Sequence, residues 1–238
     1  MTRATAGFVE FALASREAAF PAKARAMAID AITDLLGCMA AGAGEHLASM
    51  LDALVFDVPA DQGAPLAIAG RHASPQDSAL YNGTLAHAID YDDVTHPAYA
   101  HPGASIVPTI LATAHFERVS GAEALSAYIV GIEMVSKLGR TLNTAHYKNG
   151  WHASATFGTM GAAATAALCA LGSLAWPVHA RALRIGFVAS LATKLSDTCE
   201  SEIGKAYGKS TFLITTLKPV PPGTEGAISL EGTAAGVR

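Results

Sequence analysis

The 238-residue sequence is short of charge, with Asp, Glu, Lys and Arg making up only 15% of it while apolar residues reach 51%. That balance excludes the low-hydrophobicity, high-charge class of chains that stay disordered. Sixteen basic residues face twenty acidic ones for a net charge of −4. No electrostatic footprint for nucleic acid or for an anionic membrane surface follows from such numbers. Cysteine is scarce as well. Cys38, Cys169 and Cys199 are odd in number, widely spaced and form no CxxC pair, which argues against a disulfide framework and a thiolate zinc site. A reducing, cytoplasmic environment fits this usage best. No uninterrupted apolar segment opens the chain, because Glu10, Arg16 and Glu17 interrupt it, so no secretory signal is expected.

Two further gaps concern charge along the chain. From Asn149 to His179 no residue is formally charged at pH 7, a stretch long enough to cross a bilayer. Most of it is Ala, Gly, Ser and Thr, whereas insertion depends on Leu, Ile, Phe and Val. A buried, closely packed helix is the expectation, and a membrane association is not. The second gap lies between Arg71 and Arg118, where there is no Lys or Arg at all. A polycarboxylate bound there needs positive charge from elsewhere, such as Lys148.

What is present reads as helix. At roughly 100 to 200 residues per domain the length allows one large domain or two small ones. Residues 24–42 place Ala28, Ile32, Leu35, Leu36 and Met39 at helical spacing before Gly42 and Gly44. Ser74-Pro75-Gln76-Asp77 offers a hydroxyl cap, a proline at the first position and an acid in the first turn, which predicts a helix from Pro75 to about Tyr91. Residues 103–117 form another candidate. Ser120-Gly121-Ala122-Glu123 is a capping box for a helix continued by Leu125, Tyr128, Ile129, Ile132, Val135 and Leu138. The Ala-rich run from about Ser154 to Leu171 predicts one more, ended near Gly172. Pro65 to Ala69 is the one extended piece expected in this part. The fold class is therefore all-α. After about Arg184 the character changes to an irregular Gly/Pro-rich segment, with a β-branched run at Phe212 to Thr216 and a Pro-rich break at Lys218 to Pro222.

The densest polar constellation is NGTLAHAIDYDDVTHPAYAHPGAS, residues 82–105, with three imidazoles and three carboxylates in fifteen residues. On the predicted helix His87 and Asp90 share a face, as do Asp90 and Asp93, while His96 and His101 follow in a Pro-broken loop. Three readings stand beside one another. Asp92 and Asp93 can be solvated acids at a helix end with His87 a satisfied core histidine, although acids there oppose the macrodipole. The His and Asp side chains also suit a metal, but no HExxH, EF-hand or facial-triad spacing is present. General acid and base chemistry is the third, since imidazoles titrate near neutrality. A second cluster, His146-Tyr147-Lys148-Asn149-Gly150-Trp151-His152, precedes the Ala-rich helix, whose N-terminus favours an anion such as a carboxylate, or is simply a capping loop.

The ordered segments GAPLAIAGRHASPQDSALYNGTLAHAIDYDD, HPGASIVPTILATA, SGAEALSAYIVGIEMVSKLGR and GWHASATFGTMGAAATAA, with AIDAITDLLGCMAAG upstream, resemble the 2-methylcitrate dehydratase and cis-aconitate decarboxylase family, MmgE/PrpD, over residues 7–180. The resemblance implies a helical large domain, a smaller lid domain later in the chain, a homodimer, and lyase chemistry on small di- or tricarboxylates without metal or cofactor. It implies catalytic roles for Asp90, His101 and His152. Thr95 (or Val94) falls at a substrate-contacting position of the family, and His96 and Lys148 are further substrate-binding candidates. The family's later lysine motif has no counterpart, and Lys194 lies near its place without the surrounding residues.

Residues 183–237 instead resemble a segment of the phytyl-phosphate kinase-like integral membrane proteins, through GFVASLATKLSDT and SEIGKAYGKSTFLITTLKPVPPGTEGAISLEGT. The expected organisation is thus a helical domain over 1–182, cut before its lid, joined to a foreign segment over 183–238. A phosphate-loop reading of Gly204 to Ser210, with Lys209 as ligand, fails on spacing. The expected function is that of a lyase domain weakly active or inactive alone. The alternatives are a membrane-associated lipid-phosphate kinase fragment and a non-catalytic assembly module, aggregation-prone where apolar surface is uncovered.

Overall fold

The computed structural model describes residues 20–117 and 119–170, together with 7, 10–12, 14, 15, 211–213, 218–221 and 227–229. Its first long helix, α1, spans Ala22–Gly42 and buries Ala28, Leu35, Cys38, Met39 and Gly42. Gly42 is required there because a Cβ would overlap the Leu85 carbonyl. A helix that the sequence did not announce, α2 (His46–Leu54), follows at 87° to α1. The extended piece is a two-stranded antiparallel unit, β1 (Ala64–Leu66) against β2 (Arg71–Ala73), with Pro65 opposite His72. Arg71 ties it to its surroundings through Asp52 at 2.5 Å and Asp57 at 2.7 Å.

Helix α3 spans Pro75–His87, and Ser74 caps it by accepting the Asp77 N–H. It stops four residues before the expected end at Tyr91. The cause is local backbone geometry: the N–H groups of Ala88 and Asp90 turn to carbonyls three residues back, and Asp90 takes a left-handed φ of 48°. Asp90 and Asp93 consequently share no helix face. Within α3 the fully buried Asn82 is a structural pin. Its Oδ1 accepts the Ala67 N–H at 2.7 Å, and its Nδ2 donates to the Pro65 carbonyl at 3.0 Å.

Helix α4 spans Gly103–Glu117 as expected, and α5 spans Gly121–Leu142 behind the Ser120 and Glu123 capping box. The short α6 (Ala145–Lys148) leads into α7 (Ala153–Ala170). α7 packs on α4 and α5, while α3 packs on α4 and α1. Small residues set the α5/α7 spacing, since a Cβ on Gly161 would lie 2.6 Å from Val135 Cγ2 and 3.0 Å from the Gly131 carbonyl. Leu35, Met39, Leu66, Leu85, Ile106, Val130 and Val135 are fully buried at the centre.

Among the described residues α7 is the one single helix long and apolar enough to cross a membrane, and 61% of it is buried inside the protein. α1 and α2 meet that condition only as a bent pair. In the later segment, β3 (Thr211–Leu213) pairs with β4 (Ala227–Ser229). Among the described residues the chain is an all-α structure with two short strand pairs. The expected helix end at Gly172, Lys194 and the Gly204 to Ser210 segment lie outside the described residues.

Candidate active site

The site grows out of the place where α3 unwinds. His87, on the last turn of α3, is buried, and its Nδ1 meets Asp92 Oδ1 at 2.7 Å. Asp92 has no exposed side-chain surface and stands between two imidazoles, with His101 Nδ1 3.3 Å from the same oxygen. His101 Nε2 faces Asp90 Oδ1 at 3.7 Å, and Asp90 itself is largely exposed. The His87 and His101 rings lie 4.5 Å apart, tilted by 59°.

Three elements fix His101 here. Its backbone N–H donates to Ser154 Oγ on α7 at 2.9 Å. Just after it, the Gly103 N–H at the start of α4 donates to Asp93 Oδ1 at 2.8 Å. Just before it, Thr95 and Ala100 pair as an isolated bridge that folds back the 96–99 turn. That turn rests on α5 at Gly139, where a Cβ would lie 2.5 Å from Ala98 Cα.

Electrostatics follow from burial and neighbours. Burial alone would raise the Asp92 carboxyl, but His101 and His87 on either side outweigh it and hold it below the usual range. Burial would likewise lower His101, and Asp92, Asp90 and Asp93 together raise it instead. Asp93 is pushed up to about 6 by burial, which the Gly103 N–H only partly offsets. An ionised carboxylate, an easily protonated one and an imidazole thus sit within residues 92–101, a set suited to proton transfer.

The expected site residues are only partly gathered. Asp90 and His101 come together. Thr95 Oγ1 lies 3.4 Å from Ser136 Oγ on α5. His96 is exposed with its ring 5.6 Å from Tyr99, and Tyr99 stands 5.9 Å from Tyr147 on α6, next to the exposed Lys148. His152 lies two residues before Ser154, and its Nδ1 accepts the Ala155 N–H at 3.3 Å, which makes it a cap of α7. The sequence reading missed Asp92, His87 and Ser154 as site members. For Asp92 and His87 the alternation of His and Asp left a solvated helix end with a core histidine, a metal set, and acid and base chemistry all open, and nothing local signals Ser154.

A cation would find one nitrogen or oxygen from each of His87, Asp90, Asp92 and His101 within 4.8 Å of one another. The fit is poor, however. His87 and Asp92 stand at hydrogen-bond distance, 2.7 Å, whereas two ligands at zinc bond lengths in a tetrahedron are roughly 3.3 Å apart.

The family model for the MmgE/PrpD N-terminal domain matches residues 6–211. The chain belongs to the MmgE/PrpD N-terminal domain family. It is 36% identical over 100 residues to the cis-aconitate decarboxylase of Homo sapiens, covering 39% of this chain and 20% of that protein. It is also 38% identical over 178 residues to the chloroplastic protein VTE6 of Arabidopsis thaliana, covering 74% and 46%. A third relative, an uncharacterized membrane protein of Synechocystis sp., is 64% identical over 80 residues, covering 32% and 30%. The MmgE/PrpD chain spans less than half the length of each of these relatives. One is chloroplastic by name and another a membrane protein, so their names lend no support to the cytoplasmic location expected from the sequence.

Proposed function

We propose that this chain is the helical domain of a lyase acting on small di- or tricarboxylates, such as 2-methylcitrate or cis-aconitate, by acid and base chemistry without a cofactor, and that it is weakly active or inactive alone. The observation that carries this reading is the position of His101, with Nδ1 toward the buried Asp92 and Nε2 toward Asp90 on a side chain 22% exposed. If Nδ1 bears the proton, Nε2 is the lone-pair nitrogen, free to take a proton α to a carboxylate. In a dehydration the C–H electron pair forms the new double bond, and the hydroxyl departs as water after protonation by an acid. His152 is assigned that acid role, and Asp90 orients His101 or shares the proton. Thr95, His96 and Lys148 are assigned to substrate carboxylates, Lys148 supplying charge that the 72–117 stretch lacks.

The test is turnover by the full chain of cis-aconitate and of 2-methylcitrate, followed by proton NMR. Turnover reduced at least about 100-fold by His101→Ala sustains the reading, that being the low end of a general base's contribution. Equal turnover by parent and variant overturns the role of His101, and robust turnover by the parent overturns the expectation that the domain is weakly active or inactive alone. A homodimer is part of this proposal, supported by the exposed Met27, Ile29, Leu54 and Phe56 on and beside α1 and α2. Light scattering on the eluting protein distinguishes it from monomer or aggregate.

A second reading is supported by the 64% identical membrane-protein relative. Here residues 183–238 form a separate unit, a fragment of a membrane-associated lipid-phosphate kinase, joined to a helical domain over 1–182. Partition of the expressed chain into detergent favours it, and full recovery in the aqueous phase counts against it. Genomic reads across codons 175–190 test whether the join is continuous.

A further inference from the structure

We infer that His87 and Asp92 form a buried relay that sets the tautomer and the basicity of His101, with His87 acting through Asp92 and never on a substrate. As a statement about catalysis this rests on the lyase reading above; as a coupling between three side chains it does not.

The geometry carries the argument. His87 is 6% exposed, too buried to meet a ligand, and its Nδ1 is bonded to Asp92 Oδ1 at 2.7 Å. An acceptor-only carboxylate dictates that this nitrogen holds the proton. The same oxygen lies 3.3 Å from His101 Nδ1, a buried nitrogen with no hydrogen bond of its own, so the carboxylate bonded to His87 also faces His101 as an ion-pair contact. The other carboxylate oxygen, Oδ2, is buried and without a hydrogen-bond partner. Among the described residues Asp92 therefore has no other donor to share its charge with, and what His87 takes His101 loses. The Asp92 charge beside Nδ1 favours the proton on that nitrogen, which leaves the His101 lone pair on Nε2, on the side of Asp90.

Other charged or titratable groups face this unit from each neighbouring element. Asp90 and Asp93 come from the same loop, Cys38 and Asp34 from α1, and Tyr128 from α5 reaches Asp93. Only His87 and His101 bear on Asp92 as hydrogen-bonding partners or opposite charges. Asp92 and His87 are thus positioning residues for His101.

Opposite signs distinguish a relay from mere support. Asp92→Asn removes the negative charge, and the His101 midpoint should fall by about one pH unit. His87→Leu removes the competing donor, returns the Asp92 charge to His101, and should raise that midpoint by about half a unit. His87→Gln keeps an N–H donor and should return it toward the parent value. If the residues only hold the loop in place, both Asn and Leu variants drift down toward an ordinary imidazole, and the relay is overturned.

The experiment is a titration of the full-length, nitrogen-15-labelled chain by long-range proton–nitrogen NMR, which resolves each imidazole's tautomer and midpoint. In the unmodified chain at pH above the midpoint, His101 must be the Nδ1–H tautomer. An Nε2–H tautomer overturns the relay even if no variant folds. Because these readouts need no substrate, coupling beside turnover that survives His101→Ala sinks only the lyase reading, and turnover lost in His101→Ala without coupling sinks only the relay.

Discussion

Asp93 Oδ1 accepts the backbone N–H of Gly103 at 2.8 Å, and this bond joins the acidic loop to the first turn of α4 directly behind His101. The contact is so close that a Cβ on Gly103 would overlap the Asp93 carboxylate. A carboxylate at a helix N-terminus is favoured by the dipole, yet burial still pushes Asp93 up to about 6. Desolvation wins because one N–H and a helix end replace only part of the lost water.

A pH dependence follows. Asp93 binds its proton more tightly folded, at about 6, than unfolded, at 3.8. The folded state therefore holds more protons between these values, and this group withdraws stability as the pH rises through that window, by up to about 3 kcal/mol. Asp92 has the opposite sign: its depressed value contributes stability above 3.8 that is lost as the pH falls through its folded value. Urea unfolding of the parent and of Asp93→Asn at pH 4 to 7 isolates the first effect by difference. The variant should lose the downward slope while its amide oxygen still accepts the Gly103 N–H.

Asn82→Ala should destabilise the fold by about 1 to 3 kcal/mol, chiefly by leaving the partly buried Ala67 N–H without its partner. Ser78 Oγ also donates to the Pro65 carbonyl at 2.7 Å, so that acceptor keeps a partner. Chemical denaturation measures the loss. A change below about 0.5 kcal/mol would mean that water replaces the side chain, contrary to its full burial.

The elements legible in the sequence are those with local signals. The Ser120 and Glu123 box, the Ser74-Pro75 start and the Ala-rich composition of α7 each act within a few residues, and each helix is where they put it. The end of α3 was not legible. Its last turn unwinds into a left-handed Asp90, followed by two acids bound to His87 and to Gly103, and periodicity carries no record of those bonds. Which of the open readings holds for Asp92 was not legible for the same reason. Ser154 was further out of reach, since it serves a backbone N–H 53 residues earlier. Family resemblance supplied Asp90 and His101, but the shared oxygen between two histidines belongs to geometry.

Gly161→Ala should cost about 1 to 3 kcal/mol, because the added methyl lands 2.6 Å from Val135 and two helices must separate to admit it. Gly37→Ala is the contrasting substitution. Nothing lies within 4 Å of a Cβ there, and a mid-helix glycine gains from alanine, by about 0.5 to 1 kcal/mol. Thermal unfolding of the two variants should move in opposite directions, and a shift of equal sign would mean that α5 and α7 do not cross at Gly161.

Ser154→Ala separates the placing of His101 from its chemistry. The hydroxyl touches only the backbone N–H of His101 among its described hydrogen bonds, and it lies on α7 while the imidazole's other partners lie on or just after α3. Its removal leaves one buried donor unpaired, at about 1 to 3 kcal/mol, and frees the chain segment that aims the ring. If His101 is the base, kcat should fall about tenfold or more while KM stays near the parent value, since a misplaced group hurts the transition state more than binding. The pH midpoint of activity should hold, because Asp92 still faces Nδ1. Ser154→Thr retains the hydroxyl and should recover part of the rate. A variant that loses substrate affinity and keeps kcat would place Ser154 at the ligand and remove it from the support of His101.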